Sequence, residues 1–243
     1  MKTAVVAMLT KLLLILLRIL PAKYSLKFLL HPDNILYELI FQEAIRYGKG
    51  VHPKHRLTDY HRFFIENVKE GEKVLDIGCG FGELTYDIAV KSKSALVVGI
   101  DMDGKAIERA KKLYEGKIGN LKFMLGKAPE DLPNEVFDVV VLSNVLEHQR
   151  DRITFLKEII RRVKPKKILI RVPCFERDWR VPLKKELDVK YFTDPTHHTE
   201  YTIEEFIREI TLAGLKIEKL TIKWGEIWTV CRVEKHEHVF DSF

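Results

Sequence analysis

Cysteine is scarce: Cys79, Cys174 and Cys231 are the only three in 243 residues, and they stand far apart. Odd in number and without a Cys-x-x-Cys pair, they exclude a disulfide framework and a cysteine metal knuckle, and they fit a reducing compartment. No Gly-Lys-Ser or Gly-Lys-Thr occurs, so a phosphate-binding P-loop is absent. An unbroken run of about 20 apolar residues, the length of a spanning helix, is also missing. The strongest candidate, residues 4–20, is interrupted by Lys11 and Arg18. There are no internal repeats, and 46% hydrophobic with 31% charged residues is the composition of an ordinary folded domain.

Most of the chain also lacks a charge excess. The formal net charge is +6, with nine bases against three acids in residues 1–57 and thirty-two of each in residues 58–243. A nucleic-acid surface over the main body is therefore not expected. The basic excess marks residues 1–57 as an extension ahead of a domain at 58–243.

Within that extension Lys11 and Arg18 are seven apart and share one helical face, leaving an arc of Leu, Ile, Val and Met. A charge at the centre of a spanning helix costs roughly 2.5–3.5 kcal/mol, so two argue against spanning. Lys2 ahead of an apolar run fits a signal peptide, but the internal charges break that pattern. A basic stripe beside an apolar arc suits a helix lying in a membrane interface, with residues 1–30 as the contact. A helix packed on the protein's own core or on a second subunit is the alternative. Further helices are expected near 33–47 and 58–68, the latter capped by Thr58 with Phe63, Phe64 and Val68 facing inward.

From residue 73 short β-rich runs alternate with amphipathic stretches. Strands are expected at Lys73–Ile77, Ala95–Ile100, Leu121–Leu125, Val136–Leu142 and Lys167–Val172, with helices near 83–91, 103–115 and 151–163. Asp103 and Asp151 are suitable caps, and Ala106, Ile107, Ala110 and Leu113 form a stripe. Thr202 and Glu205 make a capping box for a helix that Gly214 ends. The alternating runs at 215–223 and 226–233 suit a closing hairpin. Alternation of this kind builds an α/β fold with a parallel sheet, whose ligands sit beyond the carboxyl ends of the strands.

The first strand enters the turn Val74-Leu75-Asp76-Ile77-Gly78-Cys79-Gly80-Phe81-Gly82. Its third glycine comes one position too early for a dinucleotide fingerprint. Asp76 at the strand end repels a pyrophosphate and suits a cationic ligand. Asp101 ends the next strand, where an acid can hold both hydroxyls of a ribose, a feature that alone fits a nicotinamide cofactor equally well.

VLDIGCGFG, VVGIDMD and FDVVVLSNVLEH together resemble successive motifs of class I S-adenosylmethionine-dependent methyltransferases. The likeness covers about residues 72–172 and returns at 197–214. It implies a Rossmann-like seven-stranded sheet with a reversed last hairpin and helices on both faces. It further implies S-adenosylmethionine as cofactor, with Gly78, Cys79, Gly80 and Gly82 around its methionine part, Asp76 toward the amino group, Asp101 on the ribose and Met102 against the adenine. Members of this family often read Gly-Asp-Ala after the third strand; here Gly126-Lys127-Ala128 leaves only the backbone of Lys127 and Ala128, or Glu130 or Asp131, for the adenine. Ser143 and Asn144 at the end of the fourth strand border the transferred methyl.

Methyl transfer is an in-line displacement in which the enzyme positions the acceptor and takes its proton. His148 is the candidate base, with Glu147 and His198 beside it, or a structural histidine orienting its loop. With one of His197 or His198, Glu147 and His148 partly resemble the magnesium site of small-RNA ribose methyltransferases and ubiquinone-pathway O-methyltransferases. Those read Glu-x-x-Glu-His, and Asn144 replaces the first acid, so no metal is expected. The stretch 173–200 reads as an acceptor lid carrying Arg177, Trp179, Arg180, His197 and Tyr201, or as surface ion pairs over a packed Trp. The expected function is O-methylation of a small, glycan- or lipid-linked acceptor by a cytoplasmic protein peripheral at the membrane. Metal-assisted RNA ribose methylation and a non-catalytic cofactor-binding membrane module are the alternatives.

Overall fold

A computed structural model describes residues 2–92, 94, 96–192 and 194–234, without the side chains of residues 2–7 and 9. The chain forms two compact units, Met1–Lys54 with Asp178–Thr193, and His55–Arg177 with Asp194–Phe243.

The larger unit is a seven-stranded sheet in the order β3-β2-β1-β4-β5-β7-β6. Its strands are β1 (Lys73–Ile77), β2 (Leu96–Asp101), β3 (Leu121–Leu125), β4 (Val139–Ser143), β5 (Lys167–Pro173), β6 (Leu215–Lys223) and β7 (Glu226–Val233). The first five run parallel, whereas β7 is antiparallel to both β5 and β6, the reversed hairpin that the family resemblance implies. Order turns back at β1, so the carboxyl ends of β1, β2 and β4 border the crevice where such sheets bind ligands.

Alternation along the strands fills two cores. Leu75, Val98, Val140 and Ile168 face one side, against Phe155, Leu156 and Ile159 of α7 (Arg152–Val163) and Phe206 and Ile210 of α9 (Ile203–Leu212). Val74, Val97, Val139 and Leu169 face the other, against α4 (Tyr60–Glu66), α5 (Glu83–Lys91) and α6 (Gly104–Tyr114). Side chains two apart share a face of a strand, which is why a continuous apolar run is buried on both sides.

The expected caps at Asp103, Asp151 and Thr202 form, each accepting a backbone N–H of the first turn. Thr58 does not cap: it ends the short α3 (Lys54–Thr58), and Asp59, in a left-handed conformation, precedes α4. Phe63, Phe64 and Val68 are buried as expected, whereas Leu113 is half-buried. β4 begins three residues later than its sequence suggested, since Val136 is exposed; Ala95, the expected start of β2, lies outside the described residues.

The smaller unit contains α1 (Lys2–Ile19), α2 (Ala22–Tyr47) and α8 (Arg180–Glu186). The helix α2 continues through Pro32, where the sequence placed a start at 33. Leu30 packs with Leu183, Leu187 and Val189, and Lys184 donates to Asp33 and Asn34 at 2.7 Å each. These contacts hold α8 and the residues after it to α2 within this unit. Among the described residues no helix is long and apolar enough to cross a membrane.

Candidate active site

The turn after β1 needs its glycines for different reasons. Gly82 has φ +82°, and a Cβ there would stand 2.7 Å from the ring of Phe123. Gly80 has φ +54° with no atom within 4 Å of a Cβ, so open space lies over the turn. Non-glycine residues are strained at both. The Gly80 N–H donates to Oδ2 of Asp101 at 2.8 Å, and the Asp103 N–H donates to its Oδ1 at 2.9 Å. These bonds tie the glycine turn to the end of β2 and fix the Asp101 carboxylate.

Asp76 is 1% exposed and accepts from Thr85 Oγ1 at 2.7 Å. Burial pushes its pKa up to about 7; the Thr85 bond opposes this and the charge of Asp101 adds to it. A buried acid that favours its proton gains most from a cationic ligand, so the residues present fit a sulfonium compound carrying an ammonium and a ribose. Cys79 is buried against Gly99, its thiol pushed up by burial, and is a packing residue of the turn. Met102 is 72% exposed at the rim, and Lys127 is also exposed, its N–H on Asp131 and its ammonium 3.3 Å from Glu130. Asp131 thus anchors the turn in which the acid after β3 is missing; Ala128 is half-buried beside it.

At the end of β4, Ser143 leads into Asn144, whose φ of +58° turns the chain into the helical turn Leu146–His148. Asn144 Nδ2 donates to Glu147 Oε1 at 2.8 Å, while Glu147 Oε2 is buried and without a hydrogen-bond partner. Burial pushes Glu147 up to about 7, against hydrogen bonds from its own backbone and from Asn144. His148 is held below the ordinary imidazole value by burial and by its neighbour His197. Their rings meet edge-on with centroids 4.6 Å apart.

The sequence placed either of two adjacent histidines here, with His198 as the catalytic partner; the structure brings His197. The His198 side chain is exposed, because its backbone N–H donates to the Glu147 carbonyl at 2.7 Å and turns it outward. Tyr201 is likewise unavailable to an acceptor. It is buried, and its hydroxyl donates to Glu209 at 2.9 Å. Arg177 is paired with Glu200 and donates to the Cys174 carbonyl at 2.9 Å. Arg180 is paired with Asp178 and Asp33 in the smaller unit, where Trp179 is 72% exposed. The mixed charged and aromatic stretch is therefore largely ion-paired structure.

Two further groups escaped the sequence reading. Arg171, buried in β5, donates from Nε to Asn144 Oδ1 at 2.9 Å and stacks its guanidinium 3.6 Å from the centroid of Tyr60. Burial pushes the Tyr60 hydroxyl up to about 12. An arginine inside the run Lys167-Ile168-Leu169-Ile170-Arg171-Val172 was the available signal, since such a charge is rarely buried unpaired.

A phosphate chain would meet the buried Asp76, whereas a cationic sulfur compound is welcomed there, and the turned-back sheet puts that acid at the ligand crevice; the class defined is that of the class I S-adenosylmethionine-dependent methyltransferases. Residues 68–225 match the family model described as a methyltransferase domain, and the chain belongs to that family. The ribosomal protein L11 methyltransferase of Neisseria meningitidis serogroup A is 36% identical over 115 residues, 47% of this chain and 37% of that protein. The chain thus spans little more than a third of the length of the curated relatives it matches. A chain from the complex between the Haloferax volcanii Trm112 methyltransferase activator and a methyltransferase superposes with TM-score 0.60 at 19% identity, covering 76% of this chain and 92% of that one. Magnesium protoporphyrin IX methyltransferase from Synechocystis PCC 6803, solved with bound S-adenosylhomocysteine, gives 0.58 at 16% identity, covering 79% and 87%. At these identities the structural likeness speaks for the fold.

Proposed function

We propose that the protein methylates an oxygen of a small, glycan- or lipid-linked acceptor at a membrane face. The observation that carries the oxygen-transfer reading is the Asn144–Glu147–His148 turn directly after β4, beside β1 and its Asp76. S-adenosylmethionine supplies, when bound, a methyl group on a positively charged sulfur. Asp76 would face that positive charge, and Asp101, its carboxylate fixed by the Gly80 and Asp103 N–H groups, would hold the ribose. Glu147 or His148, on the turn after β4, would take the proton of an acceptor hydroxyl presented to that methyl group. An acceptor screen with labelled cofactor tests this: label in an alkali-stable ether supports it, and transfer confined to amines contradicts it.

The membrane part rests on the smaller unit. Leu12, Leu16 and Ile19 of α1 and Phe28, Leu36 and Ile40 of α2 are exposed, with the basic excess of the chain in the same segment. Large exposed apolar surface flanked by Lys and Arg supports adsorption to anionic lipid. The full chain is expected to sediment with phosphatidylserine-containing vesicles and the Leu12→Glu/Leu16→Glu variant to stay in solution; equal behaviour contradicts this part alone.

A protein acceptor is the second reading, favoured by the 36% identity to a ribosomal protein L11 methyltransferase. Because that match spans 37% of the relative, it supports shared cofactor chemistry more than a shared acceptor. Labelled L11 after incubation with this protein would favour it.

A further inference from the structure

We propose that Glu147, His148 and His197 bind a divalent first-row transition-metal ion, on the acceptor side of the cofactor, through one carboxylate and two imidazoles. One ligand atom from each lies within 4.8 Å of the others. Ligands on a common ion at about 2.1 Å stand about 3.4 Å apart at tetrahedral angles, a difference that side-chain rotation spans.

Three features prepare these residues as ligands. Glu147 holds one oxygen on Asn144, while Oε2 is buried with no hydrogen bond, an arrangement that costs free energy unless something binds there. Thr196 gives its hydroxyl proton to Asp194 Oδ1 at 2.6 Å, so it accepts from His148 Nδ1 at 2.8 Å and directs the lone pair of His148 to Nε2. His197 Nδ1 stands 3.2 Å from Glu200 Oε1, a carboxylate that can only accept while paired with Arg177, which again leaves the lone pair on Nε2. Imidazoles whose other nitrogen is held by an oxygen acceptor are the usual supports of metal ligands.

The donor chemistry selects the ion. Magnesium prefers an all-oxygen octahedron, whereas two imidazoles with one carboxylate suit zinc, cobalt, manganese or iron and leave positions open for an acceptor oxygen. The sequence expected no metal because Asn144 replaces an acid. In the structure Asn144 instead orients Glu147, and the set is complete with His197. The role of the ion in transfer rests on the proposed oxygen methylation; its binding does not.

The test uses the chelator-treated full chain with cobalt(II) alone, without cofactor or acceptor. A saturable visible d–d absorption at one ion per chain, displaced by zinc and insensitive to a large excess of magnesium, is expected. Glu147→Gln and His197→Ala should abolish it. Thr196→Val, an exposed substitution that removes the hydroxyl held between Asp194 and His148, should weaken cobalt binding about 10- to 100-fold while the thermal midpoint of the metal-free protein changes little. No saturable absorption in the wild type, or an unaltered affinity in these variants, overturns the proposal. Neither outcome depends on whether methyl transfer is detected.

Discussion

Arg171 directs both Nε and Nη2 at the side-chain oxygen of Asn144, which leaves the Asn144 amide nitrogen on Glu147 at 2.8 Å. A buried cation thereby sets which way an amide points at the acceptor side of the crevice. Arg171→Met fills the same space but releases Asn144. Single-turnover methyl transfer is expected to fall about 100-fold, a loss typical of slight misplacement at a reacting centre, with the affinity for S-adenosylhomocysteine retained. An unchanged rate would show that the orientation of Asn144 is irrelevant.

The pKa of Asp76 dictates how cofactor binding responds to pH. With this group at about 7, a cationic ligand must expel a proton below neutrality and need not above it. The affinity for S-adenosylhomocysteine is expected to rise about tenfold between about pH 6 and about pH 8, with proton release on binding near the lower end. Calorimetry in two buffers of different ionisation enthalpy measures both. Asp76→Asn should flatten the profile.

The same shift acts oppositely on folding. The folded-state pKa of about 7 lies above the ordinary 3.8, so the folded ligand-free protein binds the Asp76 proton more tightly. The contribution is fully present below about pH 4 and is lost as pH rises through about 7. Asp76→Asn should reduce the fall in thermal midpoint across that window; an identical slope in both proteins would contradict the assignment.

The two glycines that frame the turn separate folding from binding. Gly82→Ala meets Phe123 at 2.7 Å and a φ of +82°, and should lose about 2–4 kcal/mol from overpacking and strain together. Gly80→Ala meets open space, so only backbone strain of about 1–2 kcal/mol is expected, with a larger loss in cofactor affinity than in stability. Denaturant midpoints beside cofactor titrations distinguish them.

Tyr201→Phe removes the hydroxyl bond to Glu209. About 1 kcal/mol of stability should be lost with acceptor KM unchanged. A raised KM would restore Tyr201 to the acceptor site.

What the sequence revealed divides by the range of the forces involved. Strand β1 and helix α5 could be read to the residue because their apolar periods and flanking glycines are local. Caps at Asp103, Asp151 and Thr202 were legible for the same reason. Arg171 was not, since its partner Asn144 is 27 positions away and only the pairing of β4 with β5 brings them together. The choice between His197 and His198 was equally hidden. A single backbone bond from His198 to the Glu147 carbonyl decides which ring turns inward, and no periodicity in a loop records it. The pairing of Lys184 and Arg180 with Asp33, about 150 positions earlier, was hidden for the same reason as that of Arg171 with Asn144.

The crevice above β1 and β2 suits a ribose-bearing sulfonium compound, with Asp76 for the positive charge and Asp101 for the ribose. Isothermal titration of the full chain with S-adenosylhomocysteine measures this, with NAD as the competitor and Asp101→Ala as the altered protein. Saturable one-to-one binding is expected, weakened roughly 10- to 100-fold by the loss of the charged hydrogen bonds of Asp101 and untouched by NAD. Absence of binding, or displacement by NAD, would show that the crevice serves another ligand.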